Sequence, residues 1–213
     1  MIFESFMKQY HSVGRDKLDG YSIADFAGMT EDELQQAESM LIASAEELDT
    51  TAFRGLALLK TNNGKVTLER IISQLEPPSL AHLRAVESLY EITQDDRLQW
   101  EISRNLDKKE PFLYERAIIA MARMRPTSFL FEMMKAAFLD TMDLREQESV
   151  VRSEACEAIM GCFGFPPFVE DRTPERLALE RKLYSSELDQ FDQVLDDVRT
   201  LGRKRGYSFS LTD

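Results

Sequence analysis

One short pattern recurs four times along this chain, and it restricts the fold more than any other feature. Arg54-Gly55-Leu56-Ala57-Leu58-Leu59 matches Arg84-Ala85-Val86-Glu87-Ser88-Leu89 and Arg116-Ala117-Ile118-Ile119-Ala120-Met121. Glu154-Ala155-Cys156-Glu157-Ala158-Ile159 is a looser fourth copy. The starts lie 30, 32 and 38 residues apart, and the last gap carries the extra segment Asp140 to Glu148. A period of this size built from two helices implies a stack of helical hairpins. Small residues let neighbouring hairpins approach, and large apolar ones fill the seam. No hairpin buries its own apolar face, so the stack is the stable unit. The alternative is an irregular helical bundle whose helices merely share composition.

Helix signals run the length of the sequence. Thr30-Glu31-Asp32-Glu33 is a capping box ahead of Leu34, Ala37, Leu41, Ile42 and Ala45 at helical spacing. Ser79 follows Pro77-Pro78 and opens a second such run, and Thr127 is positioned to cap a third. Glu110-Pro111 and Thr173-Pro174 place proline in a first turn, where its missing N–H costs nothing. Asn62-Asn63-Gly64 and Gly202 read as stops. These signals predict helices over 2–12, 31–47, 51–60, 65–75, 80–93, 95–106, 112–124, 128–140, 145–163 and 174–201, the last broken near Ser185-Ser186. Residues 13–29 are the least regular. The helices 112–124 and 129–139 are apolar nearly all round, as expected for helices covered on both flanks. The one alternating stretch, Tyr207 to Leu211, is too short to make a sheet alone. The expectation is an all-α chain forming one domain over 1–213, with cap helices in 1–50, repeats in 51–163 and closing helices with a tail in 164–213.

Charge narrows the function classes. With 38 acidic and 26 basic residues in 213, the net charge is −12. Such a balance opposes nucleic-acid binding, where Lys and Arg must neutralise phosphates, and favours a basic partner. Residues 30–76 hold nine acids against four bases. The first six residues lack the basic and apolar regions of a signal peptide, and the uncharged run Ala158 to Val169 is too short to span a bilayer. Cys156 and Cys162 sit about 240° apart on one helix, which suits neither a disulfide nor a shared metal. They read as buried thiols in a reducing cytosol.

On the repeat residues, the chain resembles HEAT-like repeat proteins over roughly 51–163. The helix Val150 to Ile159 is similar to the family's V-R-x-x-A helix. The resemblance implies an α-solenoid of antiparallel hairpins, whose second helices line the inner surface. That family includes scaffolds, peptide binders, lyase subunits and a DNA glycosylase group. The front segment from Asp19 to Glu33, followed by an acidic helix and the array, is also similar to small acidic bacterial proteins encoded beside secreted toxins, which act as immunity proteins. None of their residues carries over to a position here.

Catalytic motifs are absent. His82 lacks zinc-motif spacing, and both His82 and His11 read as surface or packing residues. Gly64-Lys65-Val66-Thr67 ends like a phosphate loop, but the required glycine is Leu59. There is no G-x-S-x-G elbow. Asp189, Asp192 and Asp196 share a helix face opposite Leu188, Phe191, Leu195 and Val198. That face is either the solvated side of an amphipathic helix or a place for a hard cation or basic partner. Glu46-Glu47, Asp49 and Asp95-Asp96 leave the same choice, and Met121, Met124, Met133, Met134 and Met160 read as core filler. Trp100 is either packed on the next repeat or a partner anchor. Gly164 to Val169 is either a contact loop or a plug folded on the core.

The expected function is a cytoplasmic, non-enzymatic protein binder without cofactors or metal. Its partner is a cognate toxin with a basic surface, occluded by an acidic concave face; membranes and nucleic acid are not partners. Glu69, Asp95, Asp96, Trp100, Glu101 and Glu132 are the expected contact residues, all on second helices of successive hairpins. The competing readings are a HEAT-like enzyme of the glycosylase or chromophore-lyase type and a general scaffold.

Overall fold

The computed structural model describes residues 2–12, 20–141, 150–167, 170–186 and 189–207. Within them the chain is all-α. It comprises α1 (Ile2–Tyr10), α2 (Glu31–Glu46), α3 (Thr50–Leu59), α4 (Asn62–Gln74), α5 (Leu80–Thr93), α6 (Leu98–Ser103), α7 (Pro111–Ala122), α8 (Ser128–Asp140), α9 (Val150–Cys162), α10 (Pro174–Tyr184) and α11 (Phe191–Lys204). A single 3-10 turn, Ile23–Asp25, precedes α2. No described helix is long and apolar enough to cross a membrane. The chain divides into two compact units, residues 1–105 and 106–213.

Side-chain caps start the helices where the sequence signals them. The Thr30 hydroxyl accepts the Glu33 N–H, while Glu33 accepts the Thr30 N–H at 2.8 Å. The Asp49, Thr61, Ser79 and Thr127 side chains each accept an N–H in the first turn of α3, α4, α5 and α8. Each thereby satisfies one donor that the helix itself leaves open.

Two expected stops fall elsewhere. Asn62 and Gly64 lie inside the first turn of α4, because the Thr61 hydroxyl accepts the Gly64 N–H at 3.1 Å. The preceding helix ends instead on Lys60 in the left-handed region, φ 53°. Gly202 lies within α11, buried where an added Cβ would stand 3.1 Å from the Phe163 carbonyl oxygen. The left-handed glycine after α11 is Gly206, φ 76°. Helix α6 begins at Leu98 rather than 95, after a left-handed Gln94. Residues 145–149 and 208–211 lie outside the described set.

In the first unit, α2 packs on α3 and α4, and α3 packs on α4 and α5. Helix α5 packs on α4 and α6. The core holds Leu41, Phe53, Leu56, Leu68, Ile71 and Leu89, and α1 joins it through Phe6, stacked on Tyr21 at 5.6 Å and tilted against Phe26 at 5.8 Å. The small residues of the first two pattern copies, Gly55 and Ala85, are buried. A Cβ at Gly55 would meet both Leu41 methyl carbons within 2.9 Å. Close approach of α2 and α3 therefore requires glycine there.

In the second unit, α9 packs on α7, α8 and α10, and α10 packs on α11. Phe138 stacks on Phe191 at 5.2 Å, and Phe131 meets Phe163 edge-on at 5.9 Å. Ala117 and Ala155 are fully buried, as the pattern requires. Helix α7 is less covered than its composition suggests, since Phe112 is 60% exposed. Phe165 is buried and meets Tyr207 edge-on at 5.4 Å, so it plugs the core; Phe168 and Val169 lie outside the described residues. The expected acidic face of α11 is salt-bridged: Asp192 meets Lys135 at 3.4 Å and Asp196 meets Arg199 at 2.8 Å. Phe191, Leu195 and Val198 form the buried opposite stripe.

Candidate functional site

The site is a groove in the first unit, floored by α5 and walled by α4 and α6. Packing of α4 on α5 sets Lys65 and Glu69, one turn apart, along one wall. The opposite wall is the α5–α6 turn and α6 itself, with Asp95, Arg97, Leu98 and Glu101. Leu89 and Thr93, one turn apart on α5, form the floor. The space enclosed is about 690 Å³.

Each carboxylate of this groove has a cation of its own chain beside it. Lys65 Nζ lies 3.7 Å from Glu69 Oε1, and Arg104 Nη1 lies 2.8 Å from Glu101 Oε2. Arg97 forks onto Asp95, with Nε 3.0 Å from both carboxylate oxygens and Nη2 2.5 Å from Oδ2. The Arg97 hydrogen bonds, aided by the charge of Lys65, hold the Asp95 carboxyl below its usual range. Exposed pairs of this kind stabilise by only about 0–1 kcal/mol. The groove is therefore polar, and its ion pairs add little to the stability of the fold.

Of the six expected contact residues, three converge here: Glu69, Asp95 and Glu101. Asp96 is half-buried in the turn and accepts the Gln99 N–H through its main-chain oxygen at 3.0 Å. Trp100 is 61% exposed on α6 but does not line the groove, so the reading of it as a packed core residue is set aside. Glu132 lies exposed on α8 of the second unit. Asp95 and Asp96 lie in the turn ahead of α6 and not on a helix, because the left-handed Gln94 ends α5 and the chain needs three further residues to re-enter a helix.

Behind the α6 wall is a polar cluster that sequence reading passed over. His82 and Asn105 are both fully buried. Asn105 Oδ1 accepts the Ser79 N–H at 3.1 Å, and its Nδ2 lies 3.0 Å from His82 Nδ1 and 3.3 Å from the Glu101 and Ile102 carbonyl oxygens. His82 Nε2 has no hydrogen-bond partner among the described residues; the nearest carboxylate oxygen, Glu101 Oε2, is 3.7 Å away. Burial pushes the His82 imidazole below its ordinary value, with Glu101 opposing and Arg104 reinforcing that shift. The only local hint was Ser79 as a cap with His82 three residues on; nothing in sequence pairs His82 with Asn105.

A second cavity of about 520 Å³ in the second unit is lined by Ser153, Leu177, Glu180, Arg181, Tyr184 and Ser185. Burial, together with the neighbouring Glu157, raises the Glu180 carboxyl. Among the described residues, no three His, Cys, Asp or Glu side chains are grouped to hold a metal ion. Comparison with known proteins finds no matching family model, no matching curated protein and no matching solved structure.

Proposed function

We propose that this chain is a non-enzymatic protein-binding module whose partner presents a cationic surface, and that its role is to neutralise that partner, a cognate toxin, by covering its active groove. The observation that carries the reading is the convergence of Glu69, Asp95 and Glu101 on one groove of a chain with net charge −12. A guanidinium from the partner would displace Lys65 or Arg104 and gain a forked hydrogen bond to a carboxylate. The leucines at 89 and 98 offer apolar contact for its methylene stem. Acidic steering accelerates encounter, which suits an inhibitor that must act before its target does.

In this reading the helices form a HEAT-like stack of hairpins. The packing of α2 on α4 and of α3 on α5 supports it, because alternate helices meet as they do when hairpins stack. The buried, unbridged thiols of Cys156 and Cys162 fit a reducing cytoplasm.

The test is capture on the immobilised chain, with identification of what is retained and an assay of its activity. The expected result is a basic protein, released by salt and inhibited by the free chain. Retention that is insensitive to salt, or a retained protein whose activity is unchanged, overturns the reading. A direct probe is a hexa-arginine peptide followed by calorimetry. Glu69→Gln with Glu101→Gln should weaken it by more than about tenfold, or 1.4 kcal/mol.

A further inference from the structure

The polar cluster behind the groove wall has a hydrogen-bond order that admits one protonation state. Asn105 Oδ1 is committed to the Ser79 N–H, so its amide NH₂ faces His82 Nδ1. That ring nitrogen must then accept, and the imidazole carries its single proton on Nε2. A second proton on Nδ1 would set N–H against N–H. Turning the Asn105 amide over would not repair this: its oxygen would then face the Glu101 and Ile102 carbonyls, and its NH₂ would face the Ser79 N–H. The cluster ties the C-terminal end of α6 to the N-terminal end of α5, since Ser79 caps α5 and Asn105 follows the end of α6.

We propose that His82, Asn105 and Ser79 form a proton-sensitive latch that holds α6, with Glu101 and Trp100, against α5, and that protonation of His82 releases it. The bearing of the latch on partner binding rests on the groove reading above; the latch itself does not.

The charged groups around the ring leave this balance in place. From α6 and its C-cap come Glu101, which favours the proton, and Arg104, which opposes it and already binds Glu101. Helix α3, packed on α5, carries Arg54, which donates to the Tyr21 carbonyl, and its C-cap is Lys60. On α4, Lys65 pairs with Glu69, and Arg70 pairs with Glu46 of α2. On α5 itself Arg84 pairs with Glu87. Because the folded value lies below the unfolded one, the unfolded chain binds the extra proton first. Stability is then complete above about pH 6.5 and falls as pH drops below it.

The experiment uses the full chain. Nitrogen NMR of the two imidazoles, with the exposed His11 as comparison, should show His82 as the Nε2–H tautomer at pH 7.5, taking up a second proton only below the ordinary imidazole value. Urea unfolding should show the wild-type unfolding constant rising up to about tenfold per pH unit below pH 6.5 relative to His82→Leu. Amide exchange in 98–105 should lose protection before that in α3. Asn105→Asp supplies a carboxylate that accepts from both ring and Ser79, so it should raise the His82 titration and remove the extra acid loss. An Nδ1–H tautomer, or identical acid dependence in wild type and His82→Leu, overturns the latch. Should hexa-arginine fail to bind at pH 7.5 while the acid dependence is present, the latch stands and the groove reading falls. Equal peptide affinity at pH 7.5 and 5.5, with His82 protonated at the lower value, overturns control of the groove by the latch.

Discussion

Arg176 Nη2 meets both carboxylate oxygens of Glu157, at 3.2 and 3.1 Å, from a guanidinium that is itself only 1% exposed. Its Nη1 also donates to the Pro166 carbonyl oxygen, so one side chain ties α9, α10 and the turn between them. Removing one member of a buried pair strands the other. Arg176→Ala should therefore cost about 3 kcal/mol or slightly more, the low end of the range because Glu157 is partly exposed. Arg176→Met keeps most of the volume and should cost less. Urea midpoints of the two variants check the order.

Gly55→Ala tests the close approach of α2 and α3. Alanine gains up to about 1 kcal/mol in helix propensity. Overpacking against the buried Leu41 methyls and the Tyr21 ring costs about 1–3 kcal/mol. A net loss of up to about 2 kcal/mol is expected, since the Leu41 side chain that must give way is fully buried. A thermal melt that rises would show that the helices can separate without penalty.

Trp100→Ala should leave the melting temperature nearly unchanged, because changes at exposed positions usually stay within about 0.5 kcal/mol. If Trp100 contributes to the partner surface beside the groove, the captured partner should bind the variant at least about tenfold more weakly. Melting and affinity measured on the same preparation separate the two effects.

Cys156 and Cys162 should be inert in the folded chain. Burial is the main cause that pushes each thiol up to about 12, with Glu180 and Glu157 contributing at Cys156. At pH 8 the reactive thiolate is then scarce, and both sulfurs are shielded from reagent. An aromatic disulfide reagent should release no colour from native protein and two equivalents after denaturation. Fast labelling of either thiol in the native state would contradict this.

The helices were legible because their rules are local. Thr30, Ser79 and Thr127 cap where their hydroxyls can reach an N–H three residues on, and the buried Gly55, Ala85, Ala117 and Ala155 mark the repeat within single helices. Asn62-Asn63-Gly64 misled because two neighbours divided the work: Lys60 took the left-handed stop and Thr61 the cap. The groove was legible only in part. Glu69 and Glu101 are 32 positions apart, and their meeting depends on how α4 and α6 seat on α5, which no spacing rule encodes. The ion pairs that moderate its charge, and the match of His82 to Asn105, depend on the same packing.

Three joints of the first unit, at Leu48, Lys60 and Gln94, turn through the left-handed region without glycine. Side chains with a Cβ pay roughly 1–2 kcal/mol for that backbone. These joints are thus an unused reserve for engineering. Glycine at Leu48 or Lys60 would relieve the local steric conflict away from the groove, although the more flexible unfolded chain returns part of the gain. A hardened version of the protein could be assembled from such hinges alone, its recognition surface left as it is.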